Sequence, residues 1–189
     1  SDVYKRQAYG DAKGEALYSA EFFRWYSEEA VRGIGQISHA PATGARIVVQ
    51  YKPIGISVLV TPWNYPAAMG TRKIAPAIAA GCPVIIKPAS ETPLTMLELM
   101  PLLEEAGVPK GLVSVLPSRN TSKLVDHLLH DNRVRLVSFT GSTEVGRKLL
   151  KVASDQVLKT SMELGGNAPL IVFDDADMET AVDLSLIHI

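Results

Sequence analysis

Short apolar runs alternate with longer amphipathic stretches along most of this chain. From Ala12 onwards, apolar residues recur at helical spacing, which predicts a helix that ends near Gly33. Its expected apolar face comprises Ala12, Ala16, Ala20 and Phe23, and its expected polar side comprises Lys13, Glu15, Glu21 and Arg24. Residues 45–60 hold two β-branched runs on either side of Pro53, which predicts two extended segments with the proline at an edge or a bend.

A regular alternation of helices and strands follows. The pattern predicts helices over 66–80, 92–106, 121–130 and 142–153, and strands over 83–87, 112–116, 134–139, 158–164 and 168–173. Strands of this length separated by helices indicate βαβ units, whose parallel strands form a sheet that is covered on both faces. We therefore expect an α/β fold with a doubly wound, mainly parallel sheet.

Composition and charge narrow the function classes. The 189 residues include 19 basic and 20 acidic side chains, for a formal net charge of −1, so we expect no nucleic-acid partner. Cys82 is the single cysteine, which excludes a disulfide scaffold. No apolar run approaches the roughly 18–20 residues of a membrane span, so we expect no membrane partner and a cytoplasmic location by default.

The two ends of the sequence do not continue the pattern of their neighbours. Residues 1–7 have no connection with the helix that follows them, and after a helix start at Asp177 the apolar residues of 183–189 do not continue its face. We interpret residues 1–7 and 183–189 as non-native tags and the chain as a fragment of a longer protein.

Two motifs follow predicted strands in the first half of the chain. In Thr61-Pro-Trp-Asn-Tyr-Pro66, the amide of Asn64 lies between two prolines and is a candidate oxyanion donor, or alternatively the cap of the next helix. In Lys87-Pro-Ala-Ser90, the lysine is a candidate ligand of a nucleotide ribose or phosphate, or alternatively a solvated strand end. Ser90 is small and neutral at the position where an acidic residue would repel a ribose 2′-phosphate.

Two further motifs follow later strands. The segment 139–146 (FTGSTEVG) contains a tight turn at Gly141 and a helix start at Ser142, which is typical of a pyrophosphate site but also of a simply capped helix. The segment 163–167 (ELGGN) places a carboxylate before two glycines, so Glu163 is a candidate general base or merely a solvated residue.

All four motifs fall at the carboxyl ends of predicted strands, and together they carry a family resemblance. The strings TPWNYP, GCPVIIKPAS, FTGSTEVG and MELGGNAP resemble the aldehyde dehydrogenase superfamily in order and spacing over about residues 8 to 182. The strings AAMGTRK, KPASETP and ELGGNAPLIVFDDAD are most similar to the succinate-semialdehyde dehydrogenases.

The resemblance implies a reaction and a role for each motif. Such enzymes oxidise an aldehyde to an acid with NAD or NADP, through a cysteine thiohemiacetal and thioester. Asn64 would donate to the oxyanion and Glu163 would be the base. The residues implied to bind the cofactor are Pro62, Trp63, Lys87, Ser90, Thr140, Gly141, Ser142 and Gly165. Ser90 implies the NADP-accepting subset, and Arg72, which otherwise reads as a surface arginine, would bind the far carboxylate of the substrate.

The family's nucleophile is missing from this sequence. It lies roughly 34 residues beyond the glutamate of ELGG in these enzymes, and Cys82 is a poor substitute because its apolar surroundings disfavour the thiolate. We therefore expect an inactive fragment: residues 8–165 as a partial dinucleotide-binding domain, with an oligomerisation hairpin at about 33–53, and residues 166–182 as the start of a catalytic domain. The intact protein is expected to be a homodimer or homotetramer that acts on a small-molecule aldehyde.

Two alternatives remain open at this point. The chain could be a non-catalytic dinucleotide-binding module, which the native sequence after Val182 would reveal. It could also belong to an aldehyde dehydrogenase for a different aldehyde, which replacement of Arg72 would distinguish.

Overall fold

The computed structural model describes residues 8–185, with side chains described as far as residue 182. The described helices are α1 (Tyr9–Ala30), α2 (Pro66–Ala79), α3 (Leu94–Glu105), α4 (Thr121–Leu129), α5 (Thr143–Asp155) and α6 (Met178–Ser185). The described strands are β1 (Gln36–His39), β2 (Arg46–Val49), β3 (Ile56–Val60), β4 (Val84–Lys87), β5 (Val113–Val115), β6 (Val134–Gly141) and β7 (Lys159–Leu164).

Five of these strands form one parallel sheet in the order β5-β4-β3-β6-β7. The chain enters this sheet at the central strand β3 and continues outward through β4 to β5. It then returns to β6 on the other side of β3 and ends the sheet at β7. This order confirms the predicted doubly wound α/β fold. It also creates a switch point between β3 and β6, where the connections leave in opposite directions.

Each face of the sheet is covered by its own pair of helices, because alternate residues of a strand point to opposite sides. In β3, Leu59 packs on the side of α2 and α3 with Ile74, Ile86 and Met96. Val58 and Val60 pack on the opposite side, together with Val125 and Leu129 of α4 and Ala153 of α5. Burial on both faces explains why the central strands are mainly apolar.

Helix α1 lies against α2, and its predicted apolar face is confirmed only in part, because Phe23 packs against the core and Ala12 is half-buried. Ala16 and Ala20 are exposed, whereas the polar residues Glu15 and Ser19 are buried. The prediction that Glu15 faces away from the core is therefore wrong. Burial of a small alanine side chain contributes little free energy. The contacts with α2 therefore decide which face of α1 is buried.

The β1–β2 hairpin agrees with its predicted range, whereas the strand predicted after β7 does not form. Strands β1 and β2 pair antiparallel, with His39 opposite Arg46, and form a separate two-stranded sheet within the predicted range 33–53. The predicted strand over 168–173 is absent, since these residues form neither a strand nor a helix and are exposed. Without a neighbouring strand on that side of β7, its backbone has no partner with which to form a sheet.

The predicted helix start at Asp177 is confirmed, because its carboxylate accepts a hydrogen bond from the backbone N–H of Thr180 (2.7 Å). The predicted tag at 1–7, and residues 186–189 of the other, lie outside the described residues, and α6 extends to Ser185. Among the described residues we find no helix that combines the length and hydrophobicity needed to cross a bilayer.

Candidate active site

The four motifs meet at the carboxyl edge of the parallel sheet. Val60 at the end of β3 is paired with Lys87 of β4 on one side and with Phe139 of β6 on the other. On the next pair of strands, Thr140 lies opposite Glu163. In open parallel sheets, ligands bind in the crevice outside this edge at the switch point. The structure thus brings the predicted segments together at the place where a dinucleotide site is expected.

Asn64 is not the cap of the following helix. The capping position of α2 is occupied by Tyr65, whose side chain makes no capping hydrogen bond. The first backbone N–H groups of α2 are instead satisfied by Glu15 of α1, which accepts hydrogen bonds from Ala67 (2.8 Å) and Ala68 (3.2 Å). The capping alternative is therefore wrong, and the exposed amide of Asn64 lines a pocket of about 530 Å³ between α1 and its own loop.

Lys73 is a residue of this site that the sequence analysis did not identify. It lies on the buried side of α2, is 7% exposed, and its Nζ donates a hydrogen bond to Ser138 Oγ of β6 (2.7 Å). Burial lowers the pKa of Lys73 to about 8, the charge of Glu163 opposes this shift, and the charge of Arg72 adds to it. Its spacing from Gly70 and Ile74 on the buried face was the available signal, but a lysine beside an arginine reads as a surface residue.

Glu163 lies exposed at the carboxyl end of the edge strand β7. Its charge acts on the buried ammonium of Lys73, which lies across the same edge of the sheet. A carboxylate at this position can accept a proton from water or from a substrate group brought to the crevice. Both sequence interpretations of Glu163, as a base or as a solvated residue, fit this exposed position.

Lys87 closes β4 and is buried, so the alternative of a solvated lysine is wrong. Burial lowers the pKa of Lys87, and the charge of Glu91 partly opposes that shift. A buried cation needs a polar partner, and ribose or phosphate oxygens are suitable ones. Nearby, the exposed Ser90 donates its hydroxyl to the carbonyl of Ser118 (3.0 Å), which joins the ends of β4 and β5.

The turn after β6 presents a helix N-terminus to the crevice. Ser142 Oγ accepts a hydrogen bond from the backbone N–H of Val145 (3.4 Å) and caps α5. An added Cβ on Gly141 would lie 2.5 Å from Cζ of the buried Phe139, so a larger residue there would displace that ring. In the part of the chain that the structure describes, the hydroxyls of Thr61 and Thr140 are buried without a hydrogen-bond partner. Unsatisfied hydroxyls at the switch point, a helix N-terminus and a buried lysine together fit a dinucleotide.

The remaining cofactor candidates are Pro62, Trp63 and Gly165. Pro62 is half-buried and Trp63 is exposed beside Asn64. An added Cβ on Gly165 would make only an ordinary contact with Thr143 Oγ1 (3.8 Å), so nothing in the described chain itself demands a glycine there. Its role along the cofactor path stays a prediction.

Arg72 is exposed on α2 but is held in place by α1. Its Nη2 donates a hydrogen bond to the Tyr18 hydroxyl (3.0 Å), and its guanidinium carbon lies 5.3 Å from the ring centroid of Phe22. Tyr18 also lines the pocket that contains Asn64. Because a guanidinium has five N–H donors, the bond to Tyr18 leaves a fork available for a carboxylate.

Cys82 lies at the opposite edge of the sheet from the four motifs. It is buried and precedes β4, at the amino edge of the sheet, whereas Asn64 follows the carboxyl end of β3. Its thiol lies 3.8 Å from the carbonyl of Ala80. The structure confirms that Cys82 is buried, as its apolar surroundings predicted.

Comparison with known proteins agrees with the family indicated by the four motifs. The family model described as "Aldehyde dehydrogenase family" matches residues 5–188. The succinate-semialdehyde dehydrogenase of Paenarthrobacter nicotinovorans is 53% identical over 173 residues, which are 92% of this chain and 38% of that protein. The glutarate-semialdehyde dehydrogenase of Pseudomonas aeruginosa is 48% identical over 94% of this chain and 36% of its own length. The chain thus spans little more than a third of these curated relatives.

Solved structures agree with the fold. The crystal structure of an E. coli NADP-dependent enzyme superposes with a TM-score of 0.90 at 44% identity, covering 96% of this chain and 37% of that one. A betaine aldehyde dehydrogenase of Staphylococcus aureus in complex with NAD+ gives 0.88 at 36% identity, covering 94% and 35%. The parallel sheet, the edge motifs and these matches show that the chain belongs to the aldehyde dehydrogenase family.

Proposed function

We propose that this chain is the cofactor-binding part of a longer enzyme that oxidises succinate semialdehyde to its acid, with NADP preferred over NAD. The observation that carries aldehyde oxidation in this proposal is the position of Asn64. Its amide is exposed after the carboxyl end of β3, and the first N–H groups of α2 are satisfied by Glu15 and not by Asn64. A rigid donor at that place suits a developing oxyanion, and removal of such a donor typically slows a reaction by about 10²–10³-fold.

The other side chains of the edge take complementary roles in this proposal. Glu163 accepts the proton of the water that releases the acid, from its exposed position on β7. Lys73 places a buried positive charge between α2 and β6, where the charge of Glu163 acts on it. The family's cysteine nucleophile belongs to the longer enzyme.

A dinucleotide bound in this crevice would supply the hydride acceptor for the oxidation. Lys87 and the N-terminus of α5, capped by Ser142, would hold its ribose and pyrophosphate. The unsatisfied hydroxyls of Thr61 and Thr140 provide further hydrogen-bonding groups in the same crevice. The neutral Ser90 supports NADP, because it places no negative charge against a 2′-phosphate.

Arg72 supports a substrate that carries a second, anionic end. Its guanidinium is oriented by Tyr18 and Phe22, with donors left for a carboxylate. Succinate and glutarate semialdehydes share this feature, and relatives acting on each were found at similar identity. The glutarate compound is therefore the second candidate substrate.

The β1–β2 hairpin is the proposed subunit contact of the intact protein. The hairpin of β1 and β2 exposes Ile37, Ile47 and Val48, an apolar surface suited to pairing with another subunit in a homodimer or homotetramer. We retain the cytoplasm as the proposed location. The segment 166–182 is proposed as the start of the catalytic domain.

The proposal is tested first by reading the native gene beyond residue 182. A cysteine roughly 34 residues after Glu163 supports an enzyme, whereas a genuine stop leaves a dinucleotide-binding module. The encoded protein is then assayed for NADPH formation with succinate semialdehyde, glutarate semialdehyde and butanal. A clear kcat/KM preference for the semialdehydes that disappears in Arg72→Ala is expected. Aldehyde-dependent NADPH formation by residues 1–189 alone would contradict the proposal.

A further inference from the structure

Glu15 is a buried carboxylate on the largely exposed helix α1. It is 6% exposed, on the side of α1 that faces α2. One oxygen, Oε1, accepts hydrogen bonds from the backbone N–H groups of Ala67 (2.8 Å) and Ala68 (3.2 Å), residues 52 and 53 positions later in the sequence. A buried carboxylate is tolerated only where such donors compensate for lost water, so this contact is specific.

The contact supplies a cap that α2 lacks in its own sequence. The first N–H groups of a helix have no partner within it, and a side chain at the capping position usually provides one. Tyr65 occupies that position and makes no such bond. The carboxylate of Glu15 therefore caps α2 from another helix, with the additional advantage of a negative charge at the positive end of the helix dipole.

This cap lies next to the loop that carries Asn64. The loop begins at Thr61, whose N–H donates to the carbonyl of Lys87 (3.3 Å), and ends where α2 begins at Pro66. Its second end is therefore fixed by Glu15, through Ala67, three residues after Asn64. Glu15 and Asn64 also line the same pocket. Any shift of the first turn of α2 would move the amide of Asn64.

We propose that Glu15 is a positioning residue, which fixes the Asn64 amide for the oxyanion by capping α2 from α1. This proposal rests on the proposed function. A misplacement of about 1 Å at a reacting centre can cost about 10²-fold in rate, so the effect of losing Glu15 is expected to fall mainly on kcat.

The test is a double-mutant cycle in the intact enzyme encoded by the gene. Glu15→Ala is expected to lower kcat about 10- to 100-fold with little change in KM for the aldehyde, and Glu15→Gln, which keeps an acceptor oxygen at the same reach, should recover most of that loss. In an Asn64→Ala background, Glu15→Ala should cause less than a twofold further decrease. Glu21→Ala, on an exposed side of the same helix, is the matched control and should leave kcat unchanged.

Two kinetic results would overturn the proposal. One is full multiplication of the Glu15→Ala and Asn64→Ala effects, which would show that Glu15 does not act through Asn64. The other is a normal kcat in Glu15→Ala.

Amide hydrogen exchange provides a readout without activity. Exchange at Ala67 and Ala68 should accelerate at least tenfold in Glu15→Ala but not in Glu21→Ala, and unchanged exchange would refute the capping contact. If the intact protein oxidises no aldehyde, the proposed function fails, while exchange still decides whether Glu15 holds this loop.

Discussion

Replacing Lys73 with methionine tests the electrostatic account of the site most directly. Methionine has a similar length but neither charge nor hydrogen-bond donor, so it removes the cost of burying the ammonium and also the bond to Ser138 Oγ. Burial lowers the pKa of Lys73 from 10.5 to about 8. Since one pKa unit corresponds to roughly 1.4 kcal/mol, the protonated lysine costs the folded state about 3 kcal/mol.

The sign of the pH dependence follows from which state binds the proton more tightly. The unfolded chain keeps the proton of Lys73 up to about pH 10.5, whereas the folded chain releases it near pH 8. The cost is therefore complete below pH 8 and disappears as the pH approaches 10.5. Loss of the hydrogen bond to Ser138 reduces this gain in stability by about 1 kcal/mol at any pH. We expect Lys73→Met to raise the free energy of unfolding by about 2 kcal/mol at pH 7 and to lower it slightly at pH 10.5.

Urea unfolding followed by far-UV circular dichroism at pH 7, 8, 9 and 10 measures this difference. Comparing the variant with the original chain at each pH cancels the titration of the other lysines. Lys151→Met is the matched control, because Lys151 is exposed on α5 and its replacement removes the same charge. A stability difference that stays constant from pH 7 to pH 10 would refute the reasoning, since burial could then not be what disfavours the ammonium.

Three further substitutions test other parts of the structure. Ser90→Glu should weaken NADP binding at least tenfold and leave NAD binding equal or tighter in calorimetric titrations, because a carboxylate repels the 2′-phosphate; equal NADP affinity would contradict this. Tyr18→Phe should raise KM for succinate semialdehyde about three- to tenfold without affecting butanal, because Arg72 loses its orienting partner; an equal effect on both aldehydes would argue against that role. Gly35→Ala should destabilise the β1–β2 hairpin by about 1–3 kcal/mol, because its Cβ would overlap the backbone oxygen of Val49; hydrogen exchange of the hairpin amides should accelerate, and unchanged exchange would disprove the clash.

The parallel sheet was predictable because each of its elements is encoded locally. The runs that form β3, β4 and β6 are mainly apolar and mostly buried or half-buried, as is typical of strands covered on both faces. Gly107 ends α3 with a φ of +90°, the left-handed conformation that glycine adopts without strain. The strand expected over 168–173 failed for the opposite reason, since an apolar run forms a strand only where another strand is available to pair with it.

The candidate site was predictable as a set of segments and less so as a set of contacts. Parallel strands place their carboxyl ends on one edge, so the segments at Asn64, Lys87, Ser142 and Glu163 had to meet once the fold was recognised. Which side chains are buried there depends on neighbours that local patterns do not specify. Lys73 illustrates this, because its partner Ser138 is 65 residues away.

The sequence by itself determined the strands of the parallel sheet, the helices, the motifs at the strand ends and the family, because these depend on local periodicity and on residue order. Only the tertiary structure decided that Glu15 caps α2, that Lys73 is buried on Ser138 and that Tyr18 holds Arg72. Each of these contacts joins residues more than 50 positions apart. Whether a charged side chain is solvated or buried depends on which residues the rest of the chain places beside it. In these three cases the neighbours are set by the packing of α1 and β6 against α2.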